Sequence, residues 1–434
     1  MPDNHTLLTK SGTTDASQRI AVICHGHPSV AKGGAEAAAY ALFRGLQELG
    51  IDAIFIGACE YGDRPRLALA SEQEFAVYYD RERYEHFYHL AAPAVETQLL
   101  IILREQRITI VNFHHFYLLG LNSLRAVHDL PDVRCYYTIH EFLAICHNHG
   151  QMVTREAHLL CLQASNEACI SCFPERLRTQ FTMRKEAMRD ILGAFEGFIA
   201  PSHFLAERFV HWGLPAERMT IIENGLLKVP SPPVRQRSEG TWTFGYFGQI
   251  NPYKGVDVLL DAADLIAANQ ELAGTLRLRI HGNLVGQSQG FLDRFHEALK
   301  DHRFLSYAGP YNGASVYDLM SQCDYIVVPS KWWENSPVVI QEAFAVRVPV
   351  ICTGIGGLAE KVRDGVSGLH FARGDAADLL RTMKLAADAK LADSLREGIP
   401  AVCTAMEMGR NYLKFFATER KAIKQWPRLV DGGS

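Results

Sequence analysis

The sequence has no apolar run approaching the roughly 20 residues that a membrane span requires. It has no excess of either charge: 44 Lys and Arg stand against 48 Asp and Glu, a formal net charge of -4. Nothing offers the basic face that a phosphate backbone needs, so nucleic acid is not an expected partner. The opening stretch MPDNHTLLTKSGTTDASQR is polar and lacks the apolar centre of a signal peptide. Residues 1–18 read as a loose tail, and the expected location is the cytosol, where thiols stay reduced. The 10 cysteines then read as free thiols or metal ligands rather than disulfides. The first strand–helix junction has no G-x-G-x-x-G, which argues against an NAD-dependent dehydrogenase, and GIGG at 354–357 is too short to replace it. No nucleophile–base pair stands out. Low-complexity segments and short internal repeats are also absent.

What is there is ordinary soluble composition, 48% hydrophobic and 21% charged, in 434 residues. That length exceeds what one core usually serves, so two domains are expected. From Arg19 onward, short apolar runs (RIAVICHG, IDAIFIGA, ITIVNFHH, VRCYYTIH, FEGFIAPS) alternate with helical patterns such as the one ending at Gly50. The stretch KVPSPPVRQRSEG breaks the pattern and reads as a linker. The grammar then restarts with TWTFGYFGQ, LRLRIHGN, CDYIVVPS and VPVICTG. Strands alternating with helices predict an α/β chain with two doubly wound parallel sheets. The expected boundaries are a first domain at 19–228, a linker at 229–240, a second domain at 241–405 and an amphipathic helix at 406–434. The apolar face of that helix needs a surface, and the first domain is the candidate.

Ligands of open parallel sheets bind beyond the carboxyl ends of the strands, so the loops after strands are where chemistry is sought. Gly33 and Gly34 open a helix, where backbone can approach an anion closely; a simple chain turn explains them equally well. In FGQINPYKG, Gly248 admits a ligand and Lys254 brings a positive charge suited to a diphosphate; a solvated surface lysine is the alternative. In PSKWWENSPVVIQEAF, Glu334 and Glu342 stand eight positions apart, with the backbone amides of Asn335, Ser336 and Val338 at a helix start. A carboxylate buried there needs hydrogen bonds, and a vicinal diol such as a ribose supplies two. The alternative is that both acids face water or pair with arginines.

With these loops in place, the chain resembles a retaining glycosyltransferase of the GT-B fold, close to family 4. The resemblance rests on the Glu-x7-Glu element Glu334–Glu342, the loop ending Lys254–Gly255, GGAE at 33–36 and TGIGGLAEKVRDGVSGLHF at 353–371. It implies two Rossmann-like domains around a cleft and transfer of a sugar from a nucleoside diphosphate to a hydroxyl, of the hexosyltransferase type, with no cofactor. Glu342 would bind ribose hydroxyls, Glu334 the sugar, and Lys254 the leaving diphosphate, with Gly33 and Gly34 approaching from the other domain. His140 would lie near sugar and acceptor, and Ser202 matches the last strand end of the first domain. The family usually has arginine where this chain has Gln249, which can donate hydrogen bonds but brings no charge. A polysaccharide, glycolipid or lipid-linked glycan acceptor follows only by analogy. A sugar-nucleotide epimerase and a non-catalytic nucleotide-sugar-binding subunit are the competing readings.

Three further features stand outside that scheme. The insertion-like segment 146–172 holds Cys146, Cys161, Cys169 and Cys172 beside His147, His149 and His158; four thiolates could bind a structural zinc, or the thiols could simply pack reduced. His25, His27, His114 and His115 follow strands, where a structural role is the commoner fate. Residues 175–192 carry Leu177, Phe181, Met188 and Ile191 among basic residues. They could rest on an anionic membrane surface, although a solvated face of an ordinary helix is the simpler reading.

Overall fold

The computed structural model describes residues 18–31, 33–231 and 240–418. Residues 1–17 of the expected tail, 232–239 of the expected linker and 419–434 of the C-terminal segment lie outside the described residues.

Two parallel sheets form. The first contains β1 (Ile20–Cys24), β2 (Ala53–Glu60), β3 (Glu74–Tyr79), β4 (Ile110–Phe113), β5 (Arg134–Thr138), β6 (Gly197–Ala200) and β7 (Met219–Ile221). The second contains β8 (Trp242–Phe247), β9 (Leu276–His281), β10 (Leu305–Gly309), β11 (Tyr325–Val328), β12 (Val350–Thr353) and β13 (Gly368–Phe371). Their orders are β3-β2-β1-β4-β5-β6-β7 and β10-β9-β8-β11-β12-β13. The central strands are buried on both faces: every residue of β1, β4, β11 and β12 is inaccessible. That is why they read as mainly apolar runs, with Asn112 and Thr353 the polar exceptions.

The strand order reverses between β1 and β4 in the first sheet and between β8 and β11 in the second. At such a switch point the two flanking loops diverge to opposite faces and leave a crevice. The loops concerned follow β1 and β4 in one domain, and β8 and β11 in the other. Lys254 and Glu334 lie in the second pair.

The chain returns to the first domain through the bridge of Leu226 with Thr404, and the helix Ala405–Ala417 packs on the helix Gly34–Glu48. Thr404 caps the returning helix, exchanging hydrogen bonds with Glu407. Met408, Tyr412, Phe415 and Phe416 then enter one cluster with Ile20, Val22, Phe43, Tyr136 and Ile199. The Tyr412 hydroxyl lies 3.1 Å from Thr138 Oγ1, and Arg134 donates to the Phe416 carbonyl at 2.7 Å.

Phe416, 1% exposed, stacks on Tyr136 at 4.6 Å. Its replacement by alanine is expected to destabilise the chain by about 3–5 kcal/mol. A shift of the denaturant midpoint checks this, and a loss under about 1 kcal/mol would mean that the returning helix is not part of the core.

Candidate functional site

The loop after β8 is held from both ends. Tyr246 donates to the Gln249 carbonyl at 2.5 Å, and Asn251 Oδ1 accepts from the Lys254 amide at 2.9 Å. Gly255 closes the turn at φ 76°, where a Cβ would lie 1.8 Å from the Pro329 carbonyl oxygen. Only glycine permits so close a seat against the end of β11. The result is contact between the two switch-point loops. Lys254 Nζ lies 2.6 Å from Glu334 Oε1, and Ser330 Oγ and Trp332 Nε1 each donate to that same oxygen at 2.8 Å. Lys254 also sits 5.3 Å over the Trp332 ring, which stacks on Tyr253. Burial pushes the Glu334 carboxyl up, but Lys254 and the Trp332 and Ser330 donors outweigh it and hold it below the usual range.

Glu342 has the opposite environment. It lies in the helix Val338–Ala345, and among the described residues its carboxylate makes no hydrogen bond or ion pair. Burial alone pushes its pKa up to about 7. Its charge acts on the hydroxyls of Tyr311 and Tyr317. No protein acceptor meets the backbone N–H groups of Asn335, Ser336 and Val338 among the described residues. The side chains of Asn335 and Ser336 are otherwise engaged: Asn335 donates to the His140 carbonyl at 2.9 Å, and Ser336 to Glu223 at 2.7 Å. Gln249 is exposed, and Gly248 bonds the His281 carbonyl through its amide.

The first domain contributes a cluster of imidazoles. His114 Nδ1 lies 2.9 Å from His140 Nε2, and the His25 and His115 rings are 4.3 Å apart. His25 meets Glu36 at 3.2 Å and His115 meets Glu141 at 3.2 Å. Burial, with His25 adding to it, drops His140 to about 3, so its ring is neutral at ordinary pH. Gly33 and Gly34 are exposed at the start of their helix; the space beside Gly34 is open, whereas a Cβ on Gly33 would meet the Glu36 carboxylate at 2.3 Å. His27, 3% exposed, bonds Glu74 and Ser29 and fastens β3 to the loop after β1. Ser202 caps the helix His203–Trp212.

Several residues that bridge the domains were not anticipated. Glu223 takes hydrogen bonds from Ser336 and Gln341 and pairs with Lys361. Glu360 accepts from the amides of His203 and Phe204, both at 2.9 Å. Trp333 packs on Phe204 and donates to the Cys161 carbonyl at 2.9 Å, and Arg373 donates to the His158 carbonyl at 2.8 Å. The insertion 146–172 thus touches the loop that carries Glu334. Two tryptophans immediately before that glutamate were the available signal.

The segment 175–192 follows the simpler of its two readings, an ordinary helix: Phe181, Met188 and Leu192 are buried in the helix Arg178–Gly193, and Ile191 packs against the same core. Leu177 at the helix start and Met183 within it remain exposed. Among the described residues no helix is long and apolar enough to cross a membrane. Cys146, Cys161, Cys169 and Cys172 line one cavity, yet among the described residues no group of three or more His, Cys, Asp or Glu stands gathered for a metal. The thiols point into a shared space without converging on a point.

Residues 32–226 match the family described as Glycosyltransferase Family 4, and residues 231–410 match Glycosyl transferases group 1. An uncharacterized glycosyltransferase of Methanocaldococcus jannaschii is 34% identical over 143 residues, covering 33% of this chain and 37% of that one. A D-inositol 3-phosphate glycosyltransferase of Stackebrandtia nassauensis is 34% identical over 150 residues, 33% of this chain and 34% of that one. The matches thus span about a third of the length of these curated relatives. In fold, the chain is similar to HepE of Anabaena in complex with UDP and glucose, with a TM-score of 0.64, 15% identity, and coverage of 93% of this chain and 100% of that one.

The lone Glu342 has a thermodynamic consequence. An acid raised from 4.5 to about 7 by burial is still protonated in the folded chain when the unfolded chain has ionised. Its contribution to stability is therefore lost as pH rises from 4.5 through about 7. Glu342→Gln is expected to leave the ligand-free unfolding free energy near wild type at pH 4 and to raise it at pH 8 by up to about 3 kcal/mol, read from denaturant melts at both pH values. An equal effect at both pH values would contradict this.

Proposed function

The chain belongs to the GT-B glycosyltransferases of group 1 and family 4, and from that premise we propose that it moves a sugar from a nucleoside-diphosphate sugar to a hydroxyl acceptor, with retention. The observation that carries the reading is the pair of unlike glutamates. Glu334 is held ionised by three donors, whereas Glu342, half-buried, has none among the described residues. A partly desolvated carboxylate without a partner is disfavoured, and a ribose diol offers two hydroxyl donors that would offset this. UDP in the similar HepE complex supports a nucleotide of this kind as the partner.

Each loop has one task in this scheme. Glu342 receives the ribose hydroxyls. The amides of Asn335, Ser336 and Val338 and the open backbone at Gly34 face the diphosphate. Lys254 divides its charge between Glu334 and the phosphate oxygens, and Glu334 in turn accepts from hydroxyls of the transferred sugar. As the glycosidic bond breaks, negative charge grows on the diphosphate, and a fixed ammonium beside it stabilises that transition state. Gln249 adds hydrogen-bonding capacity there but no charge. The leaving phosphate takes the acceptor proton in a front-face attack, so no protein nucleophile is required. His140, neutral because it is buried, orients the sugar or acceptor by hydrogen bonding rather than by donating a proton from an imidazolium. The acceptor side is formed by the first domain, and a glycan or lipid-linked glycan fits the family.

The epimerase and binding-subunit readings differ in products. Glycosyl transfer releases free nucleoside diphosphate only when acceptor is present. A panel of nucleotide sugars screened for thermal protection identifies the donor. With that donor, Glu342→Ala is expected to weaken binding about 10–100-fold, the worth of hydrogen bonds to a charged group. Lys254→Ala is expected to cut kcat by about 10²–10³. NMR of the product anomer reads the stereochemistry. Unchanged constants for both variants would refute the site, and an inverted anomer would refute the retaining mechanism.

A further inference from the structure

At the switch point of the first sheet, the loops after β1 and β4 carry His25 and His115, and the loop after β5 carries His140 and Glu141. Four of these side chains stand in a row. Glu36, in the first turn of the helix Gly34–Glu48, lies 3.2 Å from His25 Nε2. The His25 ring meets the His115 ring at 4.3 Å, and His115 Nε2 lies 3.2 Å from Glu141 Oε1. Asn335 reaches across from the second domain to the His140 carbonyl at 2.9 Å. The row therefore stands next to the loop that carries Glu334.

The row is set before any ligand arrives. The Tyr117 amide donates to His115 Nδ1 at 2.9 Å, which leaves the proton of the neutral ring on Nε2, facing Glu141. The second Glu141 oxygen accepts from the Leu143 amide. Glu36 is 6% exposed, and among the described residues only its Oε1 has a partner, His25. Its Oε2 lies over the backbone of Gly33, where a Cβ would sit 2.3 Å away. A carboxylate oxygen so far removed from water needs a donor. The side chains of His25 and Glu141 stay 18% and 27% exposed, so the row is open to a ligand.

Its charge is negative. Burial keeps His25, His115 and His140 neutral. Among the described residues no lysine or arginine pairs with Glu36 or Glu141. The Arg184 charge reaches Glu141, but its buried guanidinium donates to the carbonyls of Phe87, Ala144 and Leu143 and is not free to turn to a ligand. Carboxylates held by neutral rings accept from hydroxyls and repel phosphates and other carboxylates, and both effects strengthen as water is excluded.

We infer that Glu36–His25 and Glu141–His115 form the acceptor subsite, and that the sugar it takes is uncharged. Hydroxyls at opposite edges of one sugar ring donate to the carboxylates at the two ends of the row, and a phosphorylated or acidic sugar is turned away. The inference rests on the glycosyl-transfer reading above. Both acids orient the acceptor, and the proton of its attacking hydroxyl still goes to the leaving phosphate.

The test uses the full-length chain and the donor found by thermal protection. Release of nucleoside diphosphate is followed with the methyl glycosides of glucose, galactose, mannose and N-acetylglucosamine, and with the 6-phosphate of each. At least one neutral glycoside is expected to accelerate release, with kcat/KM at least about tenfold above that of its phosphate. Glu141→Gln is expected to raise the acceptor KM about tenfold or more and to leave thermal protection by the donor at its wild-type size. Glu36→Gln is expected to act likewise, and the double variant to narrow the gap between neutral and phosphorylated acceptors. If Glu36→Gln does not fold, Glu141→Gln, at a part-exposed side chain, decides alone. Preference for a phosphorylated sugar, no acceleration by any neutral one, or an unchanged acceptor KM in Glu141→Gln would overturn the inference, while donor protection leaves the donor reading standing. A chain that no nucleotide sugar protects would overturn the donor reading and the inference with it.

Discussion

The contact between Lys254 and Glu334 organises the second domain's half of the cleft. It joins the loops that follow β8 and β11, the two strands on either side of the switch point. Around it stand Ser330 and Trp332, aimed at the same carboxylate oxygen, and Tyr253 stacked on the Trp332 ring. None of this assembles unless Gly255 lets the lysine loop lie against Pro329. One missing side chain therefore sets where a positive charge is held, and the positive charge sets which of two glutamates is ionised.

The first domain works by the opposite principle. Its imidazoles are packed against one another and stripped of water, so they remain uncharged. Neutral rings can hold tautomers and directions without repelling an anionic partner across the gap or trapping it by charge. The two sides thus differ: a lysine–glutamate pair on one, neutral imidazoles with Glu36 and Glu141 against them on the other. The walls are tied together by Glu223, Glu360, Lys361 and Asn335. These part-buried polar contacts are joined by the apolar packing of Trp333 on Phe204, so the interface is mixed in character.

The central strands were legible in the sequence because burial on both faces leaves mostly apolar residues. Four strands were not: β3, β7, β10 and β13 are the four sheet edges. An edge is half-exposed, as the alternation in β10 and the partial exposure of β7 illustrate, so its composition does not separate it from a loop. Lys254 and Glu334 could be singled out because loops after buried strands are few, and Glu342 by its place in the helix that follows. Their unlike electrostatics were not, because the donors on Glu334 come from residues that spacing does not mark. The histidine pairings are equally silent in sequence: His25 and His115 meet only because β1 and β4 are neighbours. The amphipathic stretch 175–192 left two readings open because a core-facing helix and a membrane-facing one share the same pattern.

The helix Ala405–Ala417 belongs by sequence to the end of the chain and by packing to its beginning. A ribosome delivers Ile20 nearly four hundred residues before it delivers Phe416. Throughout that interval the first sheet has an oily flank with nothing to cover it, while the second domain can already complete itself. Biogenesis must therefore run out of order, and a nascent-chain chaperone would find its binding surface on the half of the protein that was made first.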